Sequence, residues 1–119
     1  MNGKYIRFED LEIWQESMLL CKKIYSVLKD CKDYGLKDQM QRSAVSIPSN
    51  IAEGYERKSS KETAQFLYIA KGSCGELRTQ LYLAIDFGYV KKQDGQVLIE
   101  EMIKLNIKIY RYIQSILTQ

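Results

Sequence analysis

The sequence predicts an all-α protein, an antiparallel up-down-up-down bundle of four helices. Apolar residues recur at steps of three and four over four long segments, at about 11–32, 36–57, 60–87 and 94–117. The connections between these segments are short, and nothing in the chain is typical of a strand pair. With one proline and no Ser- or Gly-rich linker, the 119 residues are expected to form a single domain, 1–119.

The first helix is expected to begin after acidic residues and to end before a glycine. Residues 1–8 would be an extended or frayed lead-in, and Asp10 is the candidate N-cap. Acidic residues in the first turn suit the helix dipole. Asp33-Tyr34-Gly35 interrupts the periodicity, so Gly35 is the expected turn residue before the second helix.

The second helix contains the only proline of the sequence, Pro48. Proline cannot donate a hydrogen bond to the carbonyl group four residues earlier, so a kink is expected there. Two shorter helices broken near Ser46–Ser49 are the alternative. We favour one kinked helix because the apolar steps stay in phase across Pro48.

The third helix begins at a serine pair and contains two glycines. Ser60 is the expected N-cap, and Ser59 competes because Ser59 with Glu62 would form a capping box. Gly72 and Gly75 lower helix propensity, and we interpret them as places where the backbone of another helix approaches closely. Gly88 and residues 91–95 form the connection to the fourth helix.

Helices 1 and 4 carry more apolar positions than one core-facing side requires. A wide core face is one interpretation. The other is that one row packs the monomer while part of the neighbouring row packs another subunit, which predicts a homo-oligomer for which cyclic symmetry would fit. In helix 4 the first row is Leu98, Met102, Leu105, Ile109, Tyr112 and Ile116, and the second is Ile99, Ile103, Asn106, Tyr110, Ile113 and Leu117.

Helices 2 and 3 carry polar residues in register where a solvated face would carry Lys and Glu. If the two helices run antiparallel, residues whose numbers sum to about 119 lie level, so Ser46 faces Ser73. The arrangement predicts an interhelical hydrogen-bond network with Arg42–Glu76 as a candidate ion pair. A polar groove that recognises a ligand or partner is the alternative. The residues concerned are Gln39, Arg42, Ser43, Ser46, Asn50, Glu53 and Gly54 on helix 2, and Gly72, Ser73, Glu76 and Gln80 on helix 3.

Residue types exclude most kinds of catalytic site. Histidine is absent, which removes Ser-His-Asp and Cys-His catalysis and the di-iron bundles that need Glu-x-x-His. Cys21, Cys31 and Cys74 lack zinc-finger spacing and are expected to be reduced core thiols, with a redox role as the alternative. We therefore expect no catalytic residues, no metal and no other cofactor. An enzyme or small-ligand binder would have to use Glu53, Glu76, Ser or Lys in an unfamiliar arrangement.

The net charge of +3 permits contact with nucleic acid without arguing for it. The basic residues on the outer faces of the two terminal helices are candidate phosphate contacts, with an ordinary solvated face as the alternative: Lys22, Lys29, Lys104, Lys108 and Arg111. No stretch approaches the roughly 18 apolar residues of a membrane span, and the N-terminus lacks a signal core. A cytoplasmic location without membrane contact is expected.

Three stretches resemble a known family: FEDLEIWQESMLL, QMQRSAVSIPSNIAEGYERKS and FLYIAKGSCGEL. They are similar to the small four-helix-bundle proteins encoded by intervening sequences in 23S ribosomal RNA genes, over roughly Phe8 to Ile116. That family is similar in fold to the accessory proteins of diversity-generating retroelements, which are pentameric bundles that assist a reverse transcriptase. Asn50, Glu53 and Gly54 match the family's NIAEG, and Gly72, Ser73 and Glu76 match its GSxxEL.

The resemblance implies a pentamer that has RNA or a nucleic-acid-processing enzyme as partner. The expected function is therefore that of a non-enzymatic oligomeric bundle associating with such a partner. An oligomeric protein-interaction scaffold without nucleic-acid binding is the alternative.

Overall fold

Four α-helices preceded by one short 3-10 turn make up the structure, a computed structural model that describes residues 7–118. The 3-10 turn is Phe8–Asp10, and the helices are α1 (Glu12–Val27), α2 (Tyr34–Tyr55), α3 (Ser60–Asp86) and α4 (Lys92–Leu117). No strand occurs between residues 7 and 118. The all-α prediction is confirmed. The expected lead-in at residues 1–8 falls largely outside the described part of the chain.

The helices pack as a ring, with α1 and α3 each against both α2 and α4. Cross-helix contacts show the directions. Ser46 contacts Ser73 and Ser43 contacts Glu76, so α2 and α3 run antiparallel. Lys108 bonds Glu16 and Lys23 bonds Glu101, so α1 and α4 do the same. These directions are compatible with the predicted up-down-up-down order.

The core is formed by the main apolar row of each helix. All of the largest side chains that are fully buried are apolar and non-aromatic: Ile24, Leu28, Met40, Ile47, Ile51, Leu67, Leu77, Leu81, Met102, Leu105, Ile109 and Ile113. Burying one such side chain is worth about 1.5–3 kcal/mol, so these rows are the main source of stability. Between residues 7 and 118, no helix combines the length and apolar character needed to cross a membrane.

The boundaries of α1 correct the sequence prediction at both ends. Asp10 is not its N-cap, because Asp10 closes the 3-10 turn and accepts a hydrogen bond from the Arg7 amide, and Leu11 precedes α1. The helix ends at Val27 rather than near residue 32. Leu28 and Cys31 are still buried, held by tight turns instead of a helix. The apolar spacing in the sequence therefore continues beyond Val27, the last residue of α1.

The start of α2 is set by Asp33 rather than by Gly35. The Asp33 carboxylate accepts a 3.2 Å hydrogen bond from the Leu36 amide, so the helix begins at Tyr34 and Gly35 lies inside its first turn. Downstream, α2 is continuous through Pro48, so the two-helix alternative is wrong. The kink at Pro48 stays a prediction.

Ser59, the competing candidate, caps α3. Its hydroxyl accepts a 3.2 Å hydrogen bond from the Glu62 amide, and Ser60 is the first helical residue. Gly88 adopts φ +81° in the next connection, a conformation that glycine tolerates best. Helix α4 begins at Lys92, two residues before the expected start. Gly95 belongs to its first turns, where Ile85 packs so closely that a Cβ on Gly95 would overlap it.

Candidate functional site

A chain of hydrogen bonds links the polar rows of α2 and α3. Asn50 Nδ2 donates to Ser46 Oγ at 2.9 Å and to the Ser46 carbonyl at 2.8 Å. Ser46 Oγ lies 2.8 Å from Ser73 Oγ. Because Ser46 Oγ accepts from Asn50, its own proton is available for Ser73. One turn away, Ser43 Oγ donates to Glu76 Oε1 at 3.2 Å.

Arg42 does not complete this network. Its Nε donates to Asp38 on the same helix at 2.9 Å, and its side chain is 80% exposed. The predicted Arg42–Glu76 ion pair is therefore wrong. An acid four residues away on the same helix is reached without bringing the guanidinium across to α3, and Glu76 takes Ser43 as its partner.

Glu53 and Gly54 lie in the last turn of α2, near the connection to α3. Glu53 pairs with Arg57 at 2.9 Å, and the Arg57 guanidinium lies 4.5 Å from the centroid of the Phe66 ring. A Cβ on Gly54 would lie 2.9 Å from Phe66 Cβ and 3.0 Å from the Thr63 carbonyl oxygen. Gly54 is thus a place where α2 and α3 approach closely.

Sequence reasoning missed Thr63. It is buried, and its Oγ1 donates a 2.7 Å hydrogen bond to the Gly54 carbonyl. The signal was present, because the same antiparallel level rule that pairs Ser46 with Ser73 places position 63 near position 54. A threonine there fills a buried spot and satisfies a carbonyl near the end of α2.

The close approach expected at Gly72 and Gly75 is wrong. A Cβ on either glycine would meet nothing within 4 Å. Both lie on the outer side of α3, so no helix of this chain explains their lack of a side chain.

An open groove of about 310 Å³ lies between α2 and α3 beside the network. It is lined by Gln39, Arg42, Ser43, Ser46, Ser73, Glu76 and Gln80. Gln80 is only 7% exposed. Its Oε1 is the one buried side-chain oxygen or nitrogen without a hydrogen-bond partner between residues 7 and 118. Buried polar atoms are normally satisfied, so this oxygen stands out.

A second surface, formed by α3 and α4, is apolar. Lys71 on α3 lies level with Asn106 and Tyr110 on α4. The Lys71 ammonium lies 5.9 Å from the Tyr110 ring centroid, and the Lys71 carbonyl accepts a hydrogen bond from Asn106 Nδ2 at 3.5 Å. We call this surface the α3–α4 face and define it by Tyr68, Gly72, Gly75, Tyr82, Ile103, Ile107 and Tyr110. Its large side chains are 39–47% exposed.

The candidate phosphate contacts lie in different surroundings. Lys108 sits between Glu12 and Glu16, at 2.7 Å from the latter, and these carboxylates raise the pKa of Lys108. Lys104 lines the same α1–α4 groove, where Lys23 pairs with Glu101 at 2.8 Å. The groove is therefore lined by a mixture of positive and negative charges.

The remaining basic candidates lie outside that groove. Lys22 borders an apolar groove between α1 and α2, and Arg111 lies beside Tyr112. Lys29 is exposed near the end of α1, and its carbonyl accepts a hydrogen bond from Lys37. The five candidates thus do not form one uniform basic row.

The three cysteines are free thiols. Cys31 and Cys74 are buried, and the Cys74 thiol donates to the Met102 carbonyl at 3.5 Å. Burial raises the pKa of Cys74 and of Cys21, so both thiols stay protonated and weakly nucleophilic near neutral pH. Within the described part of the chain, no group of three or more Cys, Asp or Glu residues is placed to hold a metal ion.

Comparison with known proteins identifies the family. The family model described as "23S rRNA-intervening sequence protein" matches residues 9–111. A crystal structure of a protein of unknown function from the S23 ribosomal protein family of Bacteroides thetaiotaomicron superposes with a TM-score of 0.80. It is 23% identical, and the match covers 85% of this chain and 97% of that one. No curated protein matches. The chain belongs to the family of 23S rRNA-intervening sequence proteins.

Proposed function

We propose that this protein is a non-enzymatic structural bundle that assembles with copies of itself through the α3–α4 face. The observation that carries the proposal is the incomplete burial of the second apolar row of α4. Ile99 and Ile113 of that row are buried, but Ile103, Tyr110 and Leu117 stay 39%, 46% and 48% exposed. A monomer that used both rows as its core would have buried them.

The α3 half of the face supports the same proposal. Tyr68 and Tyr82 are each 47% exposed, and the two glycines between them leave open space above the helix. Ile103 and Ile107 lie level with these glycines. Small residues let a second backbone approach closely, and flanking aromatics supply contact area with little loss of side-chain entropy. Covering these half-exposed side chains would contribute about 1 kcal/mol each.

The assembly would be a closed ring of identical subunits. Closed symmetry prevents the open-ended growth that an exposed apolar face otherwise risks. The resemblance to pentameric bundles makes five the expected number of subunits. The lack of histidine and the buried, protonated thiols support a role by association rather than by catalysis.

Charge placed on the α3–α4 face tests the proposal. Ile103→Glu/Ile107→Glu should reduce the mass in solution to that of a monomer while the circular dichroism spectrum stays helical, because both side chains already lie at the surface. Leu19→Glu is the matched control, since Leu19 is 54% exposed on α1, away from the face. Equal masses for the double variant and the control would contradict this choice of face.

Association of the assembly with RNA is the second candidate. The net charge of +3 permits it. The exposed Lys22, Lys29, Lys104 and Arg111 support it, and a ring would repeat these charges around its axis. The family description names 23S rRNA, which makes a ribosomal RNA fragment the first probe. The carboxylates that hold Lys108 weaken the electrostatic case along the α1–α4 groove.

Salt dependence tests this candidate. The affinity for a structured ribosomal RNA fragment should fall steeply as salt rises, because bound phosphates release counterions. Lys104→Glu/Arg111→Glu should weaken binding more than Lys91→Glu/Lys92→Glu, which changes the charge equally at the α3–α4 connection. Absence of binding at low salt would eliminate the RNA candidate and leave a protein-interaction scaffold.

A further inference from the structure

We propose that the groove between α2 and α3 binds a small cation that carries N–H donors, a guanidinium or a primary ammonium group, between the Glu76 carboxylate and the Gln80 amide oxygen. Both residues lie on α3 one helical turn apart, so their side chains occupy the same side of the helix. This proposal does not depend on self-assembly, because none of the residues that line the groove belongs to the set that defines the α3–α4 face.

The unpartnered oxygen of Gln80 is the first argument. The side chain is 7% exposed and lines the groove, yet Oε1 accepts no hydrogen bond within the part of the chain that the structure describes. An oxygen of this kind can only accept, so the missing partner must bring a donor. The last torsion of a glutamine side chain is broad, which lets the amide turn toward a ligand in the groove.

The charges at the groove select the sign of the ligand. Glu76 is its only carboxylate, and the carboxylate receives one neutral hydrogen bond, from Ser43. Arg42, the only cation in the lining, directs its Nε to Asp38 at 2.9 Å. Taken together these three charges leave one negative charge without a counterpart. A cation with N–H donors would satisfy Glu76 and Gln80 at once, through the stronger, charge-assisted kind of hydrogen bond.

The walls of the groove are held in place by bonds already made. Ser46 and Ser73 share a 2.8 Å hydrogen bond, and Asn50 donates a further hydrogen bond to the Ser46 hydroxyl. Preorganised walls reduce the ordering cost of binding a ligand. The volume of about 310 Å³ has room for a small ligand and is open at the surface.

Titration followed by backbone amide NMR tests the proposal. Methylguanidinium and butylammonium are the two cationic probes, and methylurea is the neutral control with the shape of methylguanidinium. We expect shifts confined to the amides around residues 43–46 and 73–80, and an affinity for methylurea lower by about tenfold or more. The stronger of the two cations identifies the ligand class.

Variants of the two acceptors locate the site. Gln80→Met keeps the length of the side chain without the oxygen, and Glu76→Gln removes the charge. Each should weaken cation binding by about tenfold or more. Glu100→Gln removes one charge on α4 and should leave binding unchanged. Should Gln80→Met fail to fold, Gln80→Glu provides a second test, because the added carboxylate should tighten cation binding.

Three results would overturn the proposal. One is the absence of shifts in the groove with either cation at millimolar concentration. Another is an equal response in wild type, Gln80→Met and Glu76→Gln, which would mean diffuse attraction to the surface. The third is binding only to the dissociated Ile103→Glu/Ile107→Glu protein, which would show that a neighbouring copy, not a free ligand, supplies the donor.

Discussion

Ser46 and Ser73 lie 27 residues apart in the sequence and share a 2.8 Å hydrogen bond between α2 and α3. Asn50 extends the bond on one side, and the Ser43–Glu76 bond repeats the same register one turn away. Packing alone tolerates small shifts of one helix along another. Paired polar groups tolerate them less, since a shift leaves each group without its partner.

The first prediction concerns this register. Ser46→Ala should lower the free energy of unfolding by about 1–2 kcal/mol, because it leaves the Ser73 hydroxyl without its partner and removes one of the two hydrogen bonds that Asn50 donates. Ser46→Ala/Ser73→Ala should cost less than the sum of the two single substitutions, since neither hydroxyl then remains orphaned. Urea unfolding at one fixed protein concentration measures all three variants. Strict additivity would mean that the pair does not act as a unit.

The second prediction concerns the tight approach at Gly54. Gly54→Ala should destabilise the fold by about 1–3 kcal/mol, because the new methyl would lie 2.9 Å from Phe66 Cβ and 3.0 Å from the Thr63 carbonyl oxygen. Gly35→Ala is the control, since its Cβ would meet only Asp33 Oδ1, at an ordinary 3.7 Å. Gly35→Ala should leave stability unchanged or raise it by up to about 1 kcal/mol. A Gly54→Ala protein as stable as wild type would refute the close approach.

The third prediction concerns pH. Lys108 lowers the pKa of Glu12 below its usual 4.5, so the pair stabilises the folded state above that value and loses its effect as the pH falls through the lowered pKa. Lys108→Met should therefore flatten the acid side of the stability profile. Lys104→Met is the control, because no salt bridge to Lys104 exists in the described part of the chain. Urea midpoints measured between neutral pH and pH 3 separate the two variants; parallel profiles would show that the contact has no energetic effect.

The contact between Lys108 and Glu12 also makes stability depend on pH on the alkaline side. Glu12 and then Glu16 raise the pKa of Lys108 above 10.5, so this part of the stabilisation is present below that value and is lost as the pH rises through the raised pKa. Both partners are partly exposed, and salt should weaken the effect. Raising the salt concentration is therefore a second check on the Lys108→Met result.

The helices and their register were predictable because periodicity and antiparallel pairing are properties of the sequence. The four segments, the competing cap at Ser59 and the level pairing of Ser46 with Ser73 all follow from spacing. The end of α1 could not be predicted in this way, because Leu28 and Cys31 stay buried in turns that continue the apolar spacing of the helix. Apolar spacing reports burial, and a turn can satisfy it as well as a helix.

Side-chain partners were harder to predict than helices. Arg42 had two acids within reach, and the choice of Asp38 depends on local geometry that numbering does not contain. A glycine in the sequence does not show whether another helix packs against it. Gly54 and Gly95 lie against residues of another helix, whereas Gly72 and Gly75 do not. The unpartnered Gln80 oxygen was also invisible in the sequence, because Gln80 was one of the polar residues expected to join the interhelical hydrogen-bond network.

The molar mass of the wild-type chain in solution tests the central claim, self-assembly through exposed apolar surface, most directly. Multi-angle light scattering across the micromolar range should give a constant multiple of 13.9 kDa, and a ring of five would weigh about 70 kDa. The Ile103→Glu/Ile107→Glu protein run beside it should give the monomer. A wild-type mass of 13.9 kDa throughout this range would contradict the account.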